Sequence, residues 1–117
     1  MSAKAVGEDV VALAKAGQFD AIGEKYWAPD VVSIEAMDGP MARIEGIDGV
    51  RAKTEWWNGA HEVHGGNAHG PWVNGDQFAV RYEIDATNRE SGERIQMDEI
   101  AVYTVRDGRI VEERFYY

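Results

Sequence analysis

Residues 77–117, QFAVRYEIDATNRESGERIQMDEIAVYTVRDGRIVEERFYY, decide the fold. Phe78, Val80, Tyr82, Ile84 and Ala86 alternate with Ala79, Arg81, Glu83, Asp85 and Thr87. Strand side chains switch faces with period 2, so this segment predicts a half-buried strand. Asn88 to Gly92 turns the chain into a second strand, Arg94 to Val105, and Arg106-Asp107-Gly108 turns it again into a third, Arg109 to Tyr117. In the middle strand Ile95, Met97, Glu99, Ala101, Tyr103 and Val105 share one face, and Glu99 is the only acid in that row. Burying a carboxylate costs several kcal/mol unless it is paired, hydrogen-bonded or neutralised. Glu99 is therefore either a member of a structural ion pair or part of a working pocket.

Upstream of this meander the apolar period changes from two to that of a helix. Val6, Val10, Leu13 and Ala14 lie on one face of a helix over Ala5 to Ala16, with Gly17 where a left-handed cap belongs. A short second helix carries Phe19, Ile22 and Tyr26, with Trp27 at its end and Pro29 as its stop. Val31 to Glu35 reads as a strand, and Asp38-Gly39-Pro40 as a turn. A third helix after Gly46 sets Ile47, Val50, Trp57 and His61 on one stripe, flanked by Lys53 and Ala60. From Gly65-Gly66 to Asn74-Gly75-Asp76 the chain reads as loop, with Asn67 to Val73 an optional strand. Helices followed by a meander predict an α+β fold, in which helices cover one face of a curved sheet.

At 117 residues the chain is one domain, 1–117, long enough for a true core. A net charge of −9, without a basic stripe, argues against nucleic acid. With no cysteine, disulfides, zinc thiolates and cysteine nucleophiles are excluded. No run approaches the roughly 18 apolar residues of a membrane span, and the first residues lack a signal-peptide core, so no membrane partner and a cytoplasmic location are expected.

Four segments carry a resemblance: residues 17–22 (GQFDAI), 26–32 (YWAPDVV), 46–50 (GIDGV) and 107–111 (DGRIV). With the order of elements, they resemble the SnoaL-like branch of the nuclear transport factor 2-like superfamily, relatives of ketosteroid isomerases and polyketide cyclases. The resemblance covers nearly the whole chain. It implies a cone-shaped, cystatin-like α+β domain: a strongly bent antiparallel sheet and three helices enclose one elongated pocket, and the outer sheet face pairs two copies. It also implies a small-molecule activity without a cofactor, although the superfamily includes isomerases, cyclases, hydrolases, dehydratases and plain binding proteins. The proton-transfer aspartate of ketosteroid isomerase falls on Glu35, eight residues past Trp27. Its two oxyanion donors fall on Val10 and near Ala101, and removing such a donor typically costs roughly 2.7–4 kcal/mol. A SnoaL-type cyclase instead uses an acid on its late strands, a part open to Glu99.

Glu35, Glu99 and His61 are thus the catalytic candidates. An apolar surrounding raises a carboxyl pKa toward neutrality, where it can take and return a proton. Each acid has a plainer alternative as a structural partner of Arg, Lys or His. Lys53, if turned inward, pairs with one of the acids or binds an acidic substrate group; a solvated lysine is the competing reading. His61, His64 and His69 lack the i, i+4 spacing of a helical metal site, so no metal site is predicted. Trp27, Trp57, Phe78, Tyr82, Met97 and Tyr103 are the candidate ligand-binding wall, suited to a small apolar or cyclic organic molecule. The other sheet face carries Arg81, Glu83, Asp85, Arg94, Gln96, Asp98, Glu112, Arg114 and Tyr116 beside Ile100, Val102 and Ile110. Such a face suits a salt-bridged homodimer, or simply water. Two functions stay open: an enzyme moving a proton at a carbon next to a carbonyl, with a Glu base and His61 or Lys53 assisting, or a non-catalytic ligand-binding homodimer.

Overall fold

The computed structural model describes all 117 residues. Helix α1 (Ala3–Lys15) starts at a Ser2 side-chain cap, and α2 (Phe19–Tyr26) follows it directly. Strand β1 (Trp27–Ile34) leads through a turn to the short β2 (Arg43–Glu45), then to α3 (Ile47–Ala60). Strands β3 (His61–Asn74), β4 (Gln77–Asn88), β5 (Arg94–Arg106) and β6 (Arg109–Tyr116) complete the chain. The six strands form one curved, open sheet in the order β2-β1-β6-β5-β4-β3, under three helices.

The α+β architecture is the expected one, with five local differences. Residues Gly65 and Gly66 are not loop: β3 runs through them, because β4 offers a ladder that a glycine backbone can join. A Cβ on Gly66 would lie 2.4 Å from the Glu83 carbonyl, so the close strand approach requires glycine there. Pro29 does not stop α2, which has already ended at Tyr26; Pro29 sits in the irregularity of β1 between Trp27 and Val32, where no ladder donor is needed. The sheet is not wholly antiparallel, since β1 and β6 run parallel. β2 is too short for any period to reveal.

The fifth difference concerns β6. Thr104 pairs with Glu112 but Val105 pairs with Ile110, leaving Val111 as an extra residue. Ile110, expected on the outer face, is therefore completely buried, while Glu112, Arg114 and Tyr116 do face outward opposite Thr104, Val102 and Ile100. Glu113 and Phe115 pair with Tyr103 and Ala101 and share their inward face.

The core lies between α1, α2 and the concave face. Val6, Val10 and Ala14 of α1 meet Phe78, Val80 and Tyr103 from β4 and β5, the faces their periods predicted. Gly7 allows this contact, since a Cβ there would come within 2.9 Å of the Phe78 ring. Gly17 takes φ +74 after α1, the left-handed conformation that favours glycine.

Candidate functional site

Beyond the core, the bend of the sheet leaves a cavity of about 620 Å³ between α2, α3 and strands β1, β4, β5 and β6. Its wall is largely apolar, and three sets of polar groups on or behind it carry the chemistry.

The first set is a hydrogen-bonded chain across the β1 and β6 side. Trp27 donates its indole N–H to Glu113 Oε1 at 2.6 Å, and Ser33, the strand partner of Glu113, donates to Oε2 at 3.1 Å. Lys53 reaches in from α3, donates to Ser33 Oγ at 2.8 Å and pairs with Glu35 Oε1 at 2.5 Å. Tyr117 donates to the other oxygen of Glu35 at 2.9 Å. Burial pushes the Glu113 carboxyl above the ordinary range, against the pull of Trp27, Lys53 and Ser33. Trp27 and Ser33 thus serve the Glu113 carboxylate, and Lys53 and Tyr117 serve Glu35, which is how buried charge is made tolerable.

The second set is Tyr82 and Tyr103, whose hydroxyls are 2.7 Å apart. Both rings are almost completely buried, and burial holds both hydroxyls well above the ordinary tyrosine range. They remain protonated donors at any physiological pH. Two hydroxyls joined by one bond leave one O–H free to donate elsewhere.

The third is Glu99 alone, opposite Tyr82 in the β4–β5 register. Its carboxylate has no hydrogen bond or ion pair to offset its burial. Its oxygens are not sealed, since Arg114 Nε is the one buried side-chain polar atom without a partner. Burial raises the Glu99 carboxyl to about 7, with the charges of Glu35 and Glu113 adding to the effect and Lys53 opposing it. A carboxyl of that pKa, open to a cavity, can exchange a proton in either direction near neutrality.

A family model described as a SnoaL-like domain matches residues 1–117. The chain belongs to the SnoaL-like family. A solved structure from Mesorhizobium loti, described as a SnoaL-like polyketide cyclase and as a carbohydrate phosphatase, is 50% identical, with 100% of each chain covered and a TM-score of 0.96. A Xanthomonas campestris protein of unknown function with a cystatin-like fold is 18% identical over 99% of this chain and 90% of its own, with a TM-score of 0.79. A Catenulispora acidiphila protein with a ketosteroid isomerase-like fold, solved with trimethylamine, is 12% identical over 96% and 84% of the two chains, with a TM-score of 0.72. These last two share the fold alone. No protein of curated function matches the chain.

On this SnoaL-like frame the expected residues divide. Glu35, Glu99, Trp27, Lys53, Trp57, Tyr82, Met97 and Tyr103 all stand on the cavity wall. Glu35 lies one residue beyond β1, held by its backbone bond to Ala42, and it is locked to Lys53 rather than free. Lys53 is turned inward, with a side chain only 13% exposed. Its ammonium also lies 5.5 Å from the centre of the Phe115 ring.

Two expected residues are elsewhere. His61 is not on the wall: α3 ends at Ala60, so the helical stripe breaks, and the imidazole bonds the Trp57 carbonyl at 2.9 Å and stacks against the Trp57 ring. Phe78 is core, stacked on Tyr103 under α1. The three histidines do not converge, His64 bonding Thr87 and His69 bonding Glu83. Glu113, Ser33, Phe115 and Tyr117 were missed. The signal for Glu113 was its parity with Phe115, which an apolar face had to claim, but the bulge at Val111 breaks the count from Ile110.

Proposed function

We propose that this SnoaL-like protein moves a proton at a carbon next to a carbonyl, in isomerase or cyclase fashion, with Glu99 as general base. The observation that carries the reading is the contrast within the cavity: Glu35 and Glu113 are held by partners, while Glu99 has none, and burial lifts its carboxyl to about 7. The unused hydroxyl of the Tyr82–Tyr103 pair supplies the electrophile, donating to the carbonyl oxygen as negative charge develops there. It takes the place of the donors that Val10 and Ala101 lack, and of His61. Lys53 orders the opposite wall through Ser33 and Glu35.

The test is deuterium uptake at carbon in ketones and polyketide-like compounds, followed for wild type and Glu99→Gln. Exchange above buffer, lost in the variant, is the expected result. A ketone that binds in the cavity without any exchange sinks the catalytic reading and leaves a ligand-binding protein, which the missing isomerase donors favour.

The protein is further proposed to form a twofold dimer through the outer sheet face. The charges expected to pair across the twofold are already paired within the chain, Arg81 with Asp98 at 2.7 Å and Arg94 with Asp85 at 2.6 Å. That leaves Ile100, Val102 and Tyr116 as the apolar contact. Light scattering checks it: Val102→Glu is expected to give a monomer.

A further inference from the structure

We infer that the cavity takes an amine-bearing carbonyl compound in its protonated form, with the ammonium among the carboxylates and aromatic rings and the carbonyl oxygen on the tyrosine pair. The inference rests on the proposed proton transfer only for its location; its own grounds are charge balance and an unfilled donor.

The titratable groups around the cavity, tyrosines aside, are Asp20, Glu35, Asp38, Glu99 and Glu113 against the single cation Lys53. Lys53 is spent on Glu35. Glu113 receives only neutral donors, Trp27 and Ser33, and Glu99 receives none. An anionic ligand entering this space meets a net negative field at short range, whereas a cation relieves it. The wall between the acids is rich in aromatic side chains, Trp27, Trp57 and Tyr82 among them, a residue class whose rings attract an ammonium through their quadrupoles. The site already holds one cation this way, since the Lys53 ammonium lies over Phe115.

The second ground is the tyrosine pair. Tyr82 and Tyr103 are 3% and 4% exposed, and their two hydroxyl protons have only one bond between them. A buried O–H left without an acceptor on residues that line a cavity calls for an acceptor oxygen. Glu99 is the strand partner of Tyr82, so the acceptor and the cationic group of one small molecule can both be met. A positive charge beside the reacting carbon also acidifies its C–H and offsets the enolate charge that Glu35 and Glu113 would otherwise oppose.

The test is calorimetric titration of the full-length protein with phenacyltrimethylammonium, its uncharged isostere phenyl neopentyl ketone, and the anion benzoylformate. The cation is expected to bind at least ~10-fold more tightly than the neutral ketone. Near neutrality its binding should also release protons, because a bound cation favours ionised Glu99; Glu35, Glu113, Lys53, Tyr82 and Tyr103 are the other titratable groups facing that carboxylate. In Glu99→Gln the preference for the cation over the neutral ketone should fall to under about threefold. The proton release is read on wild type alone, so it stands even if the variant does not fold. Equal affinity for cation and neutral ketone, tighter binding of the anion, or no saturable binding by any probe overturns the inference. Deuterium exchange in a neutral ketone without cation preference leaves the proton-transfer reading intact and removes only this one; cation preference without exchange does the reverse.

Discussion

Asp98 and Glu99 are neighbours on β5, and the pleat sends them to opposite faces. On the outer face the Arg81 guanidinium grips Asp98 through two hydrogen bonds and holds its carboxyl below the usual range. On the inner face Glu99 has no such partner, and burial lifts it to about 7. One peptide unit therefore separates an acid that a guanidinium holds below the usual carboxylate range from one that burial lifts to about 7. Side-chain chemistry is nearly the same in the two; solvent and partners make the difference.

The largest effect that would sharpen this contrast is on the reaction. Glu99→Gln keeps the shape and removes the titrating group, so the exchange rate should fall roughly 10²–10⁴-fold, the usual worth of a placed acid or base. His61→Gln, outside the wall, should change that rate by less than about twofold. An equal loss in both variants breaks the assignment to the inner face.

Next in size is a pH-dependent stability of opposite sign on the two faces. Glu99 has its carboxyl raised from an ordinary 4.5 to about 7, so the folded chain holds a proton that the unfolded chain has released between those values. Its contribution is fully present below about 4.5 and is lost as pH rises toward 7. Denaturant titrations should show Glu99→Gln gaining on wild type over that window by at most on the order of 3 kcal/mol. Asp98, with its carboxyl lowered, contributes above the ordinary carboxylate range and loses that contribution as pH falls through its folded value.

A smaller effect tests the neighbours of Glu99. Lys53→Met removes the charge that opposes protonation and should move the pH midpoint of exchange upward; Glu113→Gln removes a charge that favours it and should move the midpoint downward. Shifts in the same direction would show that packing, and not charge, sets the Glu99 value. The smallest effect belongs to the outer face, where Arg81→Met should change thermal stability little and lose even that in high salt, because exposed ion pairs are weak and screened.

Most of the fold was legible because its signals are local. The faces of α1, β4 and β5 follow from period alone, and Gly17 announces its own positive φ. Of β3 only the optional strand Asn67 to Val73 was legible; its first half was not, since glycines join a ladder only when a neighbour supplies one. Within the site, the inward direction of Glu99 was readable from the alternation of β5, whereas its isolation was not. Whether an acid is paired depends on groups far away in the chain, as Glu35 with Lys53 and Tyr117 shows.

By itself, then, the order of residues determined an α+β domain with an acid on an apolar strand face, because backbone periodicity and the cost of burying charge act over a few residues. Only the folded chain decided that β6 carries a bulge at Val111, that Glu113 and Phe115 turn inward, that Lys53 is drawn under the sheet's bend, and that His61 and Phe78 stand away from the cavity wall. Those outcomes rest on strand register and on competition among distant partners, which no local pattern encodes.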